Sequence, residues 1–170
     1  LDHVMFAGFT HEPAVLLAEK LAAITPGNLN RCFYADIGSA AVEVALKMSF
    51  QYWQNLGQSK KTRFVALDNG YHGDTIGTMS VGARGAFNRA YEPLLFDVTS
   101  IPFPDEGAEQ RTLDALERAC RDRAAAFIVE PLVLGAGGML IYPPHVLAEM
   151  RAICARHAVL FIADEGMTGW

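Results

Sequence analysis

The sequence predicts an α/β fold, a mainly parallel sheet flanked by helices. Three observations predict it. Segments with helical periodicity alternate with short apolar runs. Those runs are apolar throughout, and polar or Gly-rich stretches follow them. A strand that is apolar on both faces needs cover on both, and alternating helices supply it.

Each element follows from its local pattern. "THEPAVLLAEKLAAITP" places Ala14, Leu17, Ala18, Leu21 and Ile24 on one helical face. Thr10 or His11 can cap that helix, Pro13 suits its first turn, and Pro26-Gly27 stops it. "RCFYAD" (31–36) reads as a short strand. "GSAAVEVALKMSFQYWQNLG" is a long helix ended by Gly57, and "RFVALD" (63–68) is the next strand. It opens into the loop "NGYHGDTIG", whose later part can begin a helix. The stretch 83–109 is less regular and carries Pro93, Pro102 and Pro104. "QRTLDALERACRD" is an amphipathic helix. "AAFIVEPLV" is a buried strand running into "LGAGGM", which reads as a flexible turn. "PPHVLAEMRAICARHA" is a helix entered through Pro143 and Pro144, and "VLFIADE" is the last strand.

The 170 residues have the length of one domain, and 51% hydrophobic content suffices for a core. The chain begins at Leu1 and ends at Trp170 without a polar tail, so both ends are read as cuts in a longer protein. A net charge of −5 without Lys/Arg clusters argues against a nucleic-acid or anionic-membrane surface. No apolar run has the length of a membrane span. Cys32, Cys120 and Cys154 are scattered and lack C-x-x-C spacing. They are expected to be buried, reduced thiols of an intracellular, cytoplasmic protein with no metal site.

In parallel sheets, ligands gather beyond the carboxyl ends of the strands. Four such ends are polar or Gly-rich here: 36–39, 69–75, 130–138 and 164–165. At the first, Gly38-Ser39 leads directly into a helix. Its free backbone N–H groups suit a phosphate, although a plain turn with Ser39 as N-cap fits the same letters. In "NGYHGDT", Tyr71 offers a flat face for a planar ligand, and His72 and Asp74 can do acid–base or orienting work. A surface turn with a hydrogen-bonded His72 is the plainer reading, and His-x-Asp lacks a third metal ligand. Gly135, Gly137 and Gly138 do not complete a dinucleotide fingerprint, because "MLIYPP" follows instead of a helix. Glu130 reads as a structural carboxylate. Asp164 and Glu165 point to opposite faces of their strand. A carboxylate there requires a donor or a cation, such as an Arg, a ring nitrogen of a bound cofactor, or water.

Taken in order, these motifs resemble the class III (ω-type) aminotransferases, which use pyridoxal 5′-phosphate and have fold type I. The order is a Gly-Ser turn, an aromatic-His-Gly loop, Glu-Pro after a strand, then "ADE…TG". "LDHVMFAGFTHEPA", "GSAAVEVALKM", "QYWQ", "NGYHGDTIGTMSV" and "GAGGM" look like the branch that serves biotin synthesis. The likeness spans nearly the whole chain and is weakest over 83–122. It implies that residues 1–170 belong to the large cofactor-binding domain. Gly38 and Ser39 would hold the cofactor phosphate, Tyr71 would lie over the pyridine ring, and Asp164 would pair with the ring nitrogen. Tyr71 and Asp74 would help bind substrate. The implied reaction moves an amino group from S-adenosylmethionine to 8-amino-7-oxononanoate, giving 7,8-diaminononanoate, in a homodimer.

Ala136 and Met167 stand where ornithine- and aminobutyrate-type members carry Glu and Gln, a departure that resembles the biotin branch. Gly166 stands where a β-branched residue is common. The family's Schiff-base lysine would lie beyond Trp170, so no catalytic residue is expected within the chain; neither Lys60 nor Lys61 has the right context. Two alternatives remain: another ω-aminotransferase, or a non-catalytic α/β domain that binds a phosphorylated ligand.

Overall fold

The computed structural model describes residues 6–169. They form two compact units, divided between Ala35 and Asp36. In the first unit, helix α1 (Glu12–Ile24) has Pro13 in its first turn, as its sequence predicts. His11 is its N-cap, but no side chain bonds the helix end. No residue of α1 is buried, and Leu17 and Ile24 are largely exposed. One helix in a short unit has no second layer of its own to pack on.

The expected strand at 31–36 is absent. Residues 31–35 have no regular structure. A strand is defined by ladder partners, and here side chains make the local ties instead. The Tyr34 hydroxyl donates to the Ala14 carbonyl at 2.5 Å, and the Cys32 thiol to that of Ala18 at 3.7 Å. Cys32 is exposed, against expectation, because its segment lies outside any core.

The second unit begins with α2 (Gly38–Asn55), then β1 (Arg63–Leu67) and the short helix α3 (Ile76–Val81). A 3-10 turn (Arg89–Leu94) leads to β2 (Val98–Ile101), helix α4 (Glu109–Arg121) and β3 (Ala124–Val129). The hairpin strands β4 (Val133–Leu134) and β5 (Leu140–Ile141), helix α5 (Pro144–Arg156) and β6 (Leu160–Ala163) complete it. The main sheet has the order β2-β1-β3-β6, and each of its pairings is parallel. β2 is an edge strand in the stretch where the sequence showed no regular pattern. "GAGGM" is the turn of the antiparallel β4–β5 hairpin, so it is an ordered connection.

Side-chain alternation builds two cores on one sheet. Val65, Leu67, Phe127 and Val129 join Leu116 of α4 and Val146 and Met150 of α5. Phe64, Ala66, Ala126 and Ile128 join Val42 and Leu46 of α2 on the opposite face. β3 is buried along its whole length. β6 is half-buried to exposed, because it is the outer strand of the described sheet. The Trp53 indole N–H donates to the Ala125 carbonyl at 2.8 Å, which ties the far end of α2 to the central strand. Cys120 and Cys154 are buried in the α4–α5 core, as expected.

α2 also organises the loop after β1. Ser39 and Glu43 are four residues apart and share one helix face. A Cβ on Gly73, at φ +122°, would lie 2.1 Å from Ser39 Oγ, so the loop backbone rests directly on that hydroxyl. One turn along, Glu43 Oε1 accepts the Thr75 hydroxyl and the Gly77 N–H, both at 2.6 Å. This carboxylate adds to α3's own capping box, in which the Thr75 N–H donates to Thr78 Oγ1 at 2.9 Å, and it suits the positive end of the helix.

Because a single oxygen accepts both bonds, Glu43→Gln can keep them, whereas Glu43→Ala cannot. We predict that Glu43→Ala lowers stability by about 1–3 kcal/mol and Glu43→Gln by under about 1 kcal/mol. Thermal or denaturant unfolding of both variants checks this; an alanine variant as stable as wild type would refute the capping role.

Candidate cofactor site

The carboxyl ends of β1, β3 and β6 and the N-terminus of α2 meet at one cavity of about 420 Å³. α2 enters it without a side-chain cap; its N-cap residue is Ile37. Ser39 is therefore the second residue of the helix and not its cap. The first helical bond recorded at this end is from the Ala41 N–H to the Ile37 carbonyl at 3.0 Å. The N–H groups of Gly38, Ser39 and Ala40 precede it and lack i−4 carbonyls within the helix. Gly38 is exposed, and a Cβ there would meet nothing within 4 Å. The positive end of this 18-residue helix is therefore open and uncapped by a side chain, an arrangement that favours an anion.

Asp164 lines the same cavity. Its backbone N–H donates to the Val129 carbonyl at 2.8 Å, which continues the β6–β3 ladder by one residue. The side chain is 16% exposed and receives two donors. His72 Nδ1–H donates to Oδ2 at 2.7 Å, and the Gly166 N–H donates to Oδ1 at 3.1 Å. The His72 side chain is almost wholly buried. Its contact fixes the orientation of the carboxylate while leaving it on the cavity wall. Glu165, like Asp164, lies past the end of β6, and it accepts the Thr168 hydroxyl at 2.8 Å.

Tyr71 forms a third wall. Its backbone N–H donates to Glu130 Oε1 at 2.9 Å, and its hydroxyl donates to Asp74 Oδ2 at 3.0 Å. The bond to Asp74, and then partial burial, raise the Tyr71 pKa above the ordinary tyrosine value. Glu130 is buried and fully used. Its other oxygen accepts the Gly135 N–H at 3.0 Å, and its carbonyl accepts the Tyr142 hydroxyl at 2.8 Å. Burial pushes the Tyr142 pKa up to about 12, so this donor keeps its proton.

Gly38, Ser39, Tyr71 and Asp164 thus line one cavity, with Ala136 and Met167 beside them. Asp74 does not join them. It lines an adjoining cavity of about 530 Å³, with Tyr71, Gly73 and Ala136 common to both. The first cavity thus brings together free helix N–H groups, an aromatic side chain and a carboxylate. Among the described residues, no cluster of three His, Cys, Asp or Glu side chains could hold a metal ion, and no helix could cross a membrane.

Sequence reasoning did not single out Glu43 as the residue that holds the loop beside the site, although its spacing from Ser39 was a usable signal. It named His72 without finding its partner. Sequence order gives no direct sign that residues 72 and 164 meet across adjacent loops.

Comparison with known proteins shows the family. The family model for class-III aminotransferases matches residues 1–170. The adenosylmethionine-8-amino-7-oxononanoate aminotransferases of Synechococcus elongatus and Anoxybacillus flavithermus are 49% and 44% identical to the chain. Each match covers 100% of the chain but 42% and 40% of the relative, so the chain spans about two fifths of their length. A crystal structure of the like-named enzyme from Methanocaldococcus jannaschii superposes with a TM-score of 0.92 at 36% identity, covering 98% of this chain and 38% of that one. A PLP-bound amine transaminase from an uncultivated Pseudomonas species gives 0.86 at 34% identity, over 98% and 41% of the two chains. The matched family, the sheet order and the cavity at the strand ends agree: the chain belongs to the class-III aminotransferases.

Proposed function

We propose that this chain is part of the large cofactor-binding domain of a pyridoxal-phosphate enzyme. The whole enzyme transfers an amino group from S-adenosylmethionine to 8-amino-7-oxononanoate. The observation that carries the reading is the convergence of Gly38, Ser39, Tyr71 and Asp164 on one cavity. The relatives' shared name supports the choice of substrates. In this reading the protein acts in the cytoplasm as a homodimer, and the lysine that bonds the cofactor lies outside these residues.

The chain's own groups divide the work. The amides at the start of α2 and the Ser39 hydroxyl bind the phosphate. Tyr71 covers one face of the ring and excludes water from it. Asp164, held by His72 and Gly166, favours a proton on the ring nitrogen, as a nearby carboxylate does for any cation. The cofactor, when bound, supplies an electron sink for the pair released as the substrate's Cα–H bond breaks. Asp74 and the Tyr71 hydroxyl present an acidic and aromatic edge to the adjoining cavity, where Ala136 leaves room. Such an edge suits a bulky sulfonium donor. A second reading, a broader ω-aminotransferase, is favoured by the similarity to amine transaminases.

Two outcomes are expected of the intact enzyme. Asp164→Asn should slow single-turnover chemistry by at least roughly a hundredfold, on the order of 3 kcal/mol, while the fold persists. Rates within a few-fold of wild type would remove Asp164 from this role. In a donor panel with 8-amino-7-oxononanoate as acceptor, S-adenosylmethionine should give a higher kcat/KM than ornithine or 4-aminobutyrate. Tyr71→Phe should impair donor use more than cofactor retention. A simple ω-amine outperforming S-adenosylmethionine would leave the broader reading standing.

A further inference from the structure

We propose that Glu130 is a positioning residue that sets the Tyr71 ring against the cofactor, an inference that rests on the pyridoxal-phosphate reading above. Glu130 directly follows the fully buried strand β3 and is itself 7% exposed. A carboxylate in such a place needs donors, and two loops supply them. Oε1 takes the Tyr71 N–H at 2.9 Å and Oε2 takes the Gly135 N–H at 3.0 Å.

The first bond holds the backbone from which the Tyr71 ring projects. The Asp74 bond holds the hydroxyl at the other end. The ring is therefore pinned at base and tip, and its height over the cavity depends on where Glu130 stands. The second bond pins the hairpin turn beside Ala136, which shares both cavities with Tyr71. One side chain thus fixes the spacing between the ring face and the turn beside it.

Glutamine retains one carbonyl oxygen. Its NH2 group would face an amide N–H in the other position, donor against donor. Glu130→Gln is therefore expected to free one of the two loops while preserving size. This contrasts with Glu43, where one oxygen serves both donors.

The test uses the intact protein loaded with pyridoxal 5′-phosphate. In Glu130→Gln, the visible circular dichroism of bound cofactor should diminish as its ring environment loosens. The kcat per bound cofactor should fall about ten- to a hundredfold, the scale of a small misplacement. A lower melting temperature with wild-type dichroism and wild-type kcat per bound cofactor would overturn the proposal and leave the functional reading intact. If the variant does not fold, hydrogen exchange of wild type decides. Tyr71 and Gly135 amides protected together support the pinning, and a Tyr71 amide exchanging like open loop overturns it. A wild-type protein that neither binds the cofactor nor transfers amine overturns both this inference and the reading beneath it.

Discussion

A carboxylate at the end of a strand in a packed sheet must be given donors, and Glu130 and Asp164 receive theirs from the loops of the site. Leaving such a group unpaired costs several kcal/mol. Glu130 draws in the Tyr71 and Gly135 amides. Asp164 draws in the His72 ring and the Gly166 amide. Tyr71 and His72 are neighbours, so the same loop answers both acids. The walls of the cavity are placed by the needs of the two carboxylates. Glu43 repeats the device at the far end of the loop, where it caps α3.

The two acids differ in what remains after pairing. Both Glu130 oxygens accept backbone donors, and the group is buried although it borders the same cavity. Asp164 keeps partial exposure on the wall of a cavity that the positive terminus of α2 also lines. Two carboxylates at similar places in the fold therefore take different parts. Glu130 holds two backbone amides, and Asp164 is held by a ring and an amide while staying partly exposed. The division follows from hydrogen-bond geometry.

Much of this was legible in the sequence, for identifiable reasons. Helix α2 and strand β3 have long, strong patterns, and their packing follows those patterns. The four strand-end stretches were visible because polar and Gly-rich residues interrupt apolar runs. Residues 31–36 misled because strand propensity is local while a strand needs partners in the sheet. β2 escaped because its "VTSI" lies among prolines and is only partly buried. The His72–Asp164 pair was invisible because its members are 92 residues apart. Asp74 accepts the Tyr71 hydroxyl and lines the adjoining cavity with it, a division between two cavities that the sequence does not show.

The central claim is that Asp164 is held ready for a protonated ring nitrogen. The most direct measurement is the 15N chemical shift of the ring nitrogen, with the intact protein loaded with 15N-labelled pyridoxal 5′-phosphate. A shift in the pyridinium range at neutral pH, moving toward neutral pyridine in Asp164→Asn, is the result the account predicts. A neutral-pyridine shift in the wild-type protein would contradict it.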